Sequence, residues 1–310
     1  MITSVFSKSR PINYILITSL LVLCFLLFQF QSNYSSISVF EIGKKIILLL
    51  LLVGSLFITN FITKKNGLSK DNSYTFLLFF VFLILFPKTL SNTSLIISNG
   101  FILLALRRLI SMQSLKTPKE KIFDASFWIF TASLFHFWCI LFILLVFVSI
   151  IFHVSRDYRN WIIPFIAFGT VAIMGTVGAL IFNPTIINNY LSQIVIDFDL
   201  RYIETIFQNI ALSIYIITAL VAFGSMILIL SSKLSNLQSS YRKILFAFII
   251  GLVVFFISPD KDNSFLIYTF VPVSIMLTNY LETIEKYWVK ESILGIIILA
   301  SVITFVFQLL

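Results

Sequence analysis

The sequence predicts an all-α fold: a polytopic membrane helical bundle of about ten transmembrane segments (eight to twelve), with no soluble domain. Three observations predict it. Hydrophobic residues fill 59% of the 310 positions, and the mean hydropathy is +1.04. Charged residues are 11%, less than half of the roughly 25% usual in soluble domains. Apolar runs near the roughly 20 residues that a helix needs to cross a bilayer recur along the chain. Residues 1–310 therefore read as a single integral membrane domain.

Residues 14–30 form the first candidate span, preceded by Lys8 and Arg10. This resembles a signal sequence, but no small-x-small cleavage site follows and further spans do, so a retained first helix is expected. Residues 46–62 form the second. Residues 74–86 and 95–106 are short and are separated by Pro87 and Lys88. That pattern suits two ordinary spans with misplaced ends, or a re-entrant pair such as transporters place near their sites. Residues 107–124, interrupted by Pro118, read as a basic cytoplasmic loop. Long apolar runs follow at 125–152, 161–182 and 206–230, then at 244–257, 265–280 with a kinking Pro272, and 293–310. Residues 183–205 form an acidic inter-helix segment.

Lys and Arg number 22 against 13 Asp and Glu, a net charge of +9. No dense basic cluster with polar flanks offers a nucleic-acid surface, so no nucleic acid is expected as a partner. In a polytopic protein such an excess holds loops on the cytoplasmic side. Here that rule meets a conflict. With the N-terminus inside and ten passes, 12 basic residues fall inside and 10 outside. If the run 125–152 crossed an even number of times, the score would be 17 to 5. Its 28 residues are too few for two full crossings at about 1.5 Å per residue. It is either a re-entrant hairpin or a sign that another span is miscounted.

Chemistry-bearing residues are sparse. Asp197-Phe198-Asp199, with Arg201 and Glu204, is the densest acidic cluster. Asp197, Arg201 and Glu204 would share a helix face, and Asp197, Asp199 and Arg201 one side of an extended segment. Paired carboxylates can hold a divalent metal on a phosphate or act as a general base. The plainer reading is a polar interfacial face with internal ion pairs. His136 sits between Phe135 and Phe137 inside an apolar run, a functional signal by default in a membrane or else a histidine bonded to a neighbouring helix. The other histidine, His153, lies 17 residues on, about 25 Å along a continuous helix, so the two cannot share a metal there.

Arg156-Asp157-Tyr158-Arg159-Asn160-Trp161 has the composition of an interfacial anchor, and its arginines also suit a lipid-linked phosphate. Asp260-Lys261-Asp262 reads as a turn with local ion pairing. Cys24 and Cys139 sit in apolar runs and read as small packing residues. The chain lacks G-x-x-x-x-G-K-[ST], G-x-S-x-G and H-E-x-x-H, and no cofactor or resident metal is expected. Near-absence of charge within spans argues against a proton pump or voltage sensor.

Residues 7–14 (SKSRPINY), 123–138 (FDASFWIFTASLFHFW), 156–164 (RDYRNWIIP) and 258–282 (SPDKDNSFLIYTFVPVSIMLTNYLE) together resemble a family of polytopic inner-membrane proteins of Bacteroidota, a domain of unknown function. The resemblance implies a multi-pass protein of the cytoplasmic (inner) membrane and the cell envelope, without assigning an activity. A fainter likeness is to membrane glycosyltransferases and polysaccharide polymerases that use lipid-linked sugars. In it, Asp197 and Asp199 stand for an acidic extracytoplasmic loop and Lys261, Tyr268 and Pro272 for a late element. Those enzymes usually place the acidic loop early and are larger.

Two functions follow as expectations. One is a non-enzymatic membrane-complex subunit or transporter-like protein, with membrane lipids and other complex subunits as partners. The other is an enzyme acting on lipid-linked sugars or polyprenyl phosphates. There Asp197, Asp199 or Glu204 would act in catalysis, and Arg156, Arg159, Arg201, His136 and Lys261 would bind substrate.

Overall fold

The computed structural model describes residues 2–32, 39–182, 190, 194–198, 205–259 and 261–309, and every regular element among them is a helix. Lipid offers backbone N–H and C=O groups no partners, so runs of Leu, Ile and Phe satisfy them internally as helix. In chain order these are α1 (Ile2–Phe6), α2 (Pro11–Ser32), α3 (Val39–Lys65), α4 (Tyr74–Leu85), α5 (Thr93–Ile110) and α6 (Pro118–Phe135). After them come α7 (Ile143–His153), α8 (Arg159–Phe182), α9 (Ile206–Leu230), α10 (Ser235–Ile257), α11 (Ile267–Thr283) and α12 (Tyr287–Leu309). Short 3-10 turns precede or follow several of them. Among the described residues, eight helices are long and apolar enough to cross a membrane, and Tyr74–Leu85 and Phe137–His153 are shorter apolar ones.

The chain divides into two compact units. The first holds Met1–Ile96, Ile203–Lys233 and Asp262–Leu310; the second holds Ile97–Tyr202 and Leu234–Lys261.

In the first unit, α4 is only 12 residues long and every one of them is buried. It lies against α2, α3, α11 and α12, and α11 also lies against α9. At about 18 Å it is too short to cross alone, and the 3-10 turn Pro87–Leu90 follows it. Thr75 and Thr278 join α4 to α11 through their hydroxyls at 2.9 Å. Near the other end Tyr215 meets Phe82, Phe86 and Phe270 at ring separations of 5.2, 5.6 and 5.5 Å. Its hydroxyl shares a 2.6 Å hydrogen bond with Thr269. Lipid tails are as apolar as these rings, so packing and hydrogen bonds hold the cluster rather than escape from water. Tyr215→Ala should therefore cost about 3–5 kcal/mol through the cavity it leaves, and Tyr215→Phe about 1 kcal/mol. Unfolding of the two variants in detergent would measure both. Equal losses would move the weight from packing to the hydroxyl.

In the second unit the apolar run 125–152 is broken. His136 has φ −145° and ψ 108°, which ends α6. A 3-10 segment, Phe137–Phe142, then leads into α7. Because α6 starts at Pro118, ahead of the apolar run, 18 residues precede the break, about 27 Å of helix. The side-chain contacts give the directions. Lys121 of α6 bonds the Ser111–Ser114 turn, whose Gln113 accepts from Ser240 at the start of α10. His153, ending α7, meets Lys243 near that same start. His136, by contrast, meets Ser258 just past the end of α10. So α6 and α7 form an antiparallel hairpin alongside α10.

The segment 107–124 is mostly helical. Arg107 and Arg108 lie in the last turn of α5, and α6 begins with Pro118 at its first turn. Between them the chain reverses within residues 115–117, where Leu115 (φ 51°) and Thr117 (φ 42°) take the left-handed region that L side chains rarely adopt.

Candidate functional site

The second unit concentrates its polar side chains at its two ends. At the end where α6, α8 and α10 begin, buried lysines cap helix carbonyls. The last carbonyls of a helix have no partner within it, and a cation there also suits the negative end of the helix dipole. Lys243, wholly buried, donates from Nζ to the Leu109 carbonyl in the last turn of α5. It also meets His153 Nε2 at 3.1 Å. An ammonium has no acceptor lone pair, so with Lys243 charged Nε2 is the acceptor of this contact. Lys121, also buried, donates to the Ser111 carbonyl at 2.7 Å and to Ser114 Oγ at 2.9 Å. Arg108 pairs with Asp124 at 2.9 Å.

Beside them is a cavity of about 360 Å³ lined by Pro118, Lys119, Ile151, Phe152, His153, Val154, Ser155, Arg156, Asp157 and Asn160. Lys119 bridges to Asp157 at 2.9 Å, and the same carboxylate accepts the Arg159 backbone N–H at 3.0 Å. The hydrogen bond from Lys119, then that from the Arg159 backbone, hold the Asp157 carboxyl below its ordinary value. The contact therefore persists above the ordinary carboxylate pKa and is lost only as pH falls through the depressed one. Asn160 donates from Nδ2 to the Val154 carbonyl at 2.9 Å. Arg159 instead lies over the exposed Tyr158 ring at 6.0 Å, and Trp161 stacks on Phe147 at 6.1 Å. The 156–161 motif thus splits: Arg156 and Asn160 face the cavity, while Tyr158, Arg159 and Trp161 have the contacts of an interfacial anchor.

At the other end His136 Nε2 and Ser258 Oγ are 3.0 Å apart. Lys261, buried, donates to the Phe256 carbonyl at 3.0 Å and to the Asp197 carbonyl. The Asp197 backbone N–H bonds the Ile257 carbonyl at 3.1 Å. Three of the residues singled out from sequence, His136, Asp197 and Lys261, thus meet the one stretch 256–261. Asp197 does so through its main chain. Asp199, Arg201, Glu204 and Asp260 lie outside the described residues. Asp262 caps its own turn by accepting from the Ser264 backbone N–H at 3.0 Å. Among the described residues no group of three His, Cys, Asp or Glu is placed to hold a metal.

The family of unknown function DUF6427 matches residues 1–310, the whole chain. The chain belongs to DUF6427. No curated protein and no solved structure matches it. For this DUF6427 chain, sequence reasoning reaches Arg156, His136 and Lys261, names Asn160 only as part of the anchor motif, and misses the roles of Lys121 and Lys243. Lys243 carried the one available signal: a lysine just ahead of an unbroken apolar stretch, where burial demands a partner.

Proposed function

We propose that the chain is a non-enzymatic multi-pass protein of the cytoplasmic membrane, working as a membrane-complex subunit or a transporter-like protein. One observation carries this reading. The buried lysines Lys121, Lys243 and Lys261 all donate to main-chain carbonyls. Such lysines stitch helix ends together; they are not poised on a reacting group. A cytoplasmic N-terminus follows from charge. Counting one pass for each of α2 to α12, with α4 extended by the turn Pro87–Leu90 and α7 by the 3-10 segment Phe137–Phe142, leaves only Lys44, Lys45, Lys88, Arg201 and Lys261 on the far side, and 17 of the 22 basic residues on the near side.

Purification of the full chain in mild detergent should bring down stoichiometric subunits, or a bound solute for a transporter-like protein. A lone chain carrying lipid-linked sugar would overturn this reading.

The second reading is an enzyme on lipid-linked sugars. It draws on the gathering of His136, Asp197 and Lys261 around residues 256–261, and on the buried Trp138 Nε1, which has no partner among the described residues. On that reading Asp199→Asn abolishes a glycan product at unchanged protein level. Full complementation by the variant would sink it.

A further inference from the structure

Helices α2 and α3 of the first unit run antiparallel. At one end of the pair the Tyr14 hydroxyl reaches Asn60 Oδ1 at 3.4 Å; at the other a groove of about 270 Å³ opens between them. The buried Phe25 ring is its floor, and Leu26, Phe30, Ile42, Ile46 and Leu49 are its walls. Gln29 and Lys45 are the polar members of the lining.

Depth in the bilayer decides what meets this groove. Lys44 and Lys45 stand at one end of the uncharged stretch 46–63 of α3, and Lys64 and Lys65 at the other. At about 1.5 Å per residue that stretch spans roughly 27 Å, close to the thickness of the hydrocarbon core. Lys45 is thus level with lipid headgroups, in the leaflet opposite Lys8 and Arg10. Leu49, one turn deeper, is level with the first part of the acyl chains.

Lys45 supplies the sign of a ligand that the groove alone would not. It is half-buried in an apolar lining, yet no described residue gives it a hydrogen bond or an ion pair. Glu41, one turn earlier on α3, does not pair with it. Lys233, the comparable half-buried lysine of this unit, reaches Asn279 Oδ1 at 2.8 Å. An ammonium held against apolar surface calls for negative oxygens. Here those oxygens must come attached to hydrocarbon, because the groove leads inward from Lys45 along apolar walls.

We propose that the groove between α2 and α3 binds an anionic phospholipid, its phosphate on Lys45 and one acyl chain along Phe25, Ile46 and Leu49. The site requires only that α2 and α3 cross a bilayer, so its failure would leave the complex-subunit reading standing.

The purified full chain would be placed in nanodiscs holding equal amounts of phosphatidylglycerol and phosphatidylcholine, and the lipid it retains read by native mass spectrometry. Phosphatidylglycerol should be retained about fivefold over phosphatidylcholine, and Lys45→Gln should remove that preference. Lys44→Gln deletes the same charge at the same depth from an exposed position off the groove, so it should leave the preference intact. Ile46→Trp, at a position 53% exposed, fills the groove and should release the lipid although Lys45 keeps its charge. Lys44 and Lys45 hold no bond to a described residue, so neither glutamine variant takes away a folding contact.

Equal losses in Lys44→Gln and Lys45→Gln would reduce the effect to diffuse charge and overturn the proposal. Equal retention of the two lipids by the wild-type chain would do the same, as would unchanged retention in Ile46→Trp. A photoreactive side chain at position 46 should crosslink to lipid in native membranes. Crosslinking to a second protein chain instead would make the groove a subunit interface and overturn the lipid site.

Discussion

Lys243→Ala should lower the unfolding free energy of the chain in detergent by about 3 kcal/mol or more. The side chain is 0% exposed and holds two acceptors, the Leu109 carbonyl in the last turn of α5 and His153 Nε2 ending α7. Truncation takes a donor from the buried Leu109 carbonyl, at roughly 1–3 kcal/mol, removes the contact to the half-buried His153, and opens a cavity besides. Lys243→Met refills the volume without the bonds, so it should fall between wild type and Ala. An ammonium out of water is itself costly, and apolar replacements of buried charges are sometimes neutral. A Met variant as stable as wild type, beside a weakened Ala variant, would assign the loss to volume. An Ala variant as stable as wild type would remove the capping role. Arg242→Ala, at the exposed neighbouring position, controls for general effects and should change little.

The helical class was legible because it depends only on run length and composition. Barrel strands alternate apolar and polar residues, so continuous apolar runs of this length satisfy their backbone in lipid as helices. The run 125–152 shows where that logic ends. No proline or glycine marks the break at His136, and neighbours such as Phe135, Phe137 and Trp138 suit an unbroken helix. The break is tertiary: His136 is drawn to Ser258, 122 residues on. The run also looked too short for two passes because α6 begins at Pro118 among charges, and charged first turns do not register as apolar span. A proline suited to a first helical turn was the available signal.

The site was legible in part for a related reason. Arg156 stood out because charge and aromatics cluster in a short loop, which composition reveals. Asn160 stood in the same motif without a role of its own, since nothing local says that its amide is buried. Lys121 read as loop charge and Lys243 as loop or span-end charge. Each becomes a helix cap only once the carbonyls of residues 109 and 111, far away in sequence from Lys243, come within reach.

The hairpin itself carries the other large prediction, because a wrong account of it inverts half the molecule. Single cysteines would be placed at Lys116, Ser155 and Ser235, in a chain lacking Cys24 and Cys139, and probed with an impermeant thiol reagent. All three positions are exposed, and in the second unit Ser155 follows the end of α7 while Lys116 precedes α6. Two passes between Lys116 and Ser155 put both on the same side, so all three should react only when the cytoplasmic face is opened. Ser192, in the segment 183–205, should react from the opposite side in intact cells. If 125–152 crossed once, Lys116 and Ser155 would label from opposite sides. The basic residues would then return to 12 against 10, a distribution with no orienting bias. The hairpin yields 17 against 5 from the same residues, so the break at His136 is what makes the charge pattern of this sequence coherent.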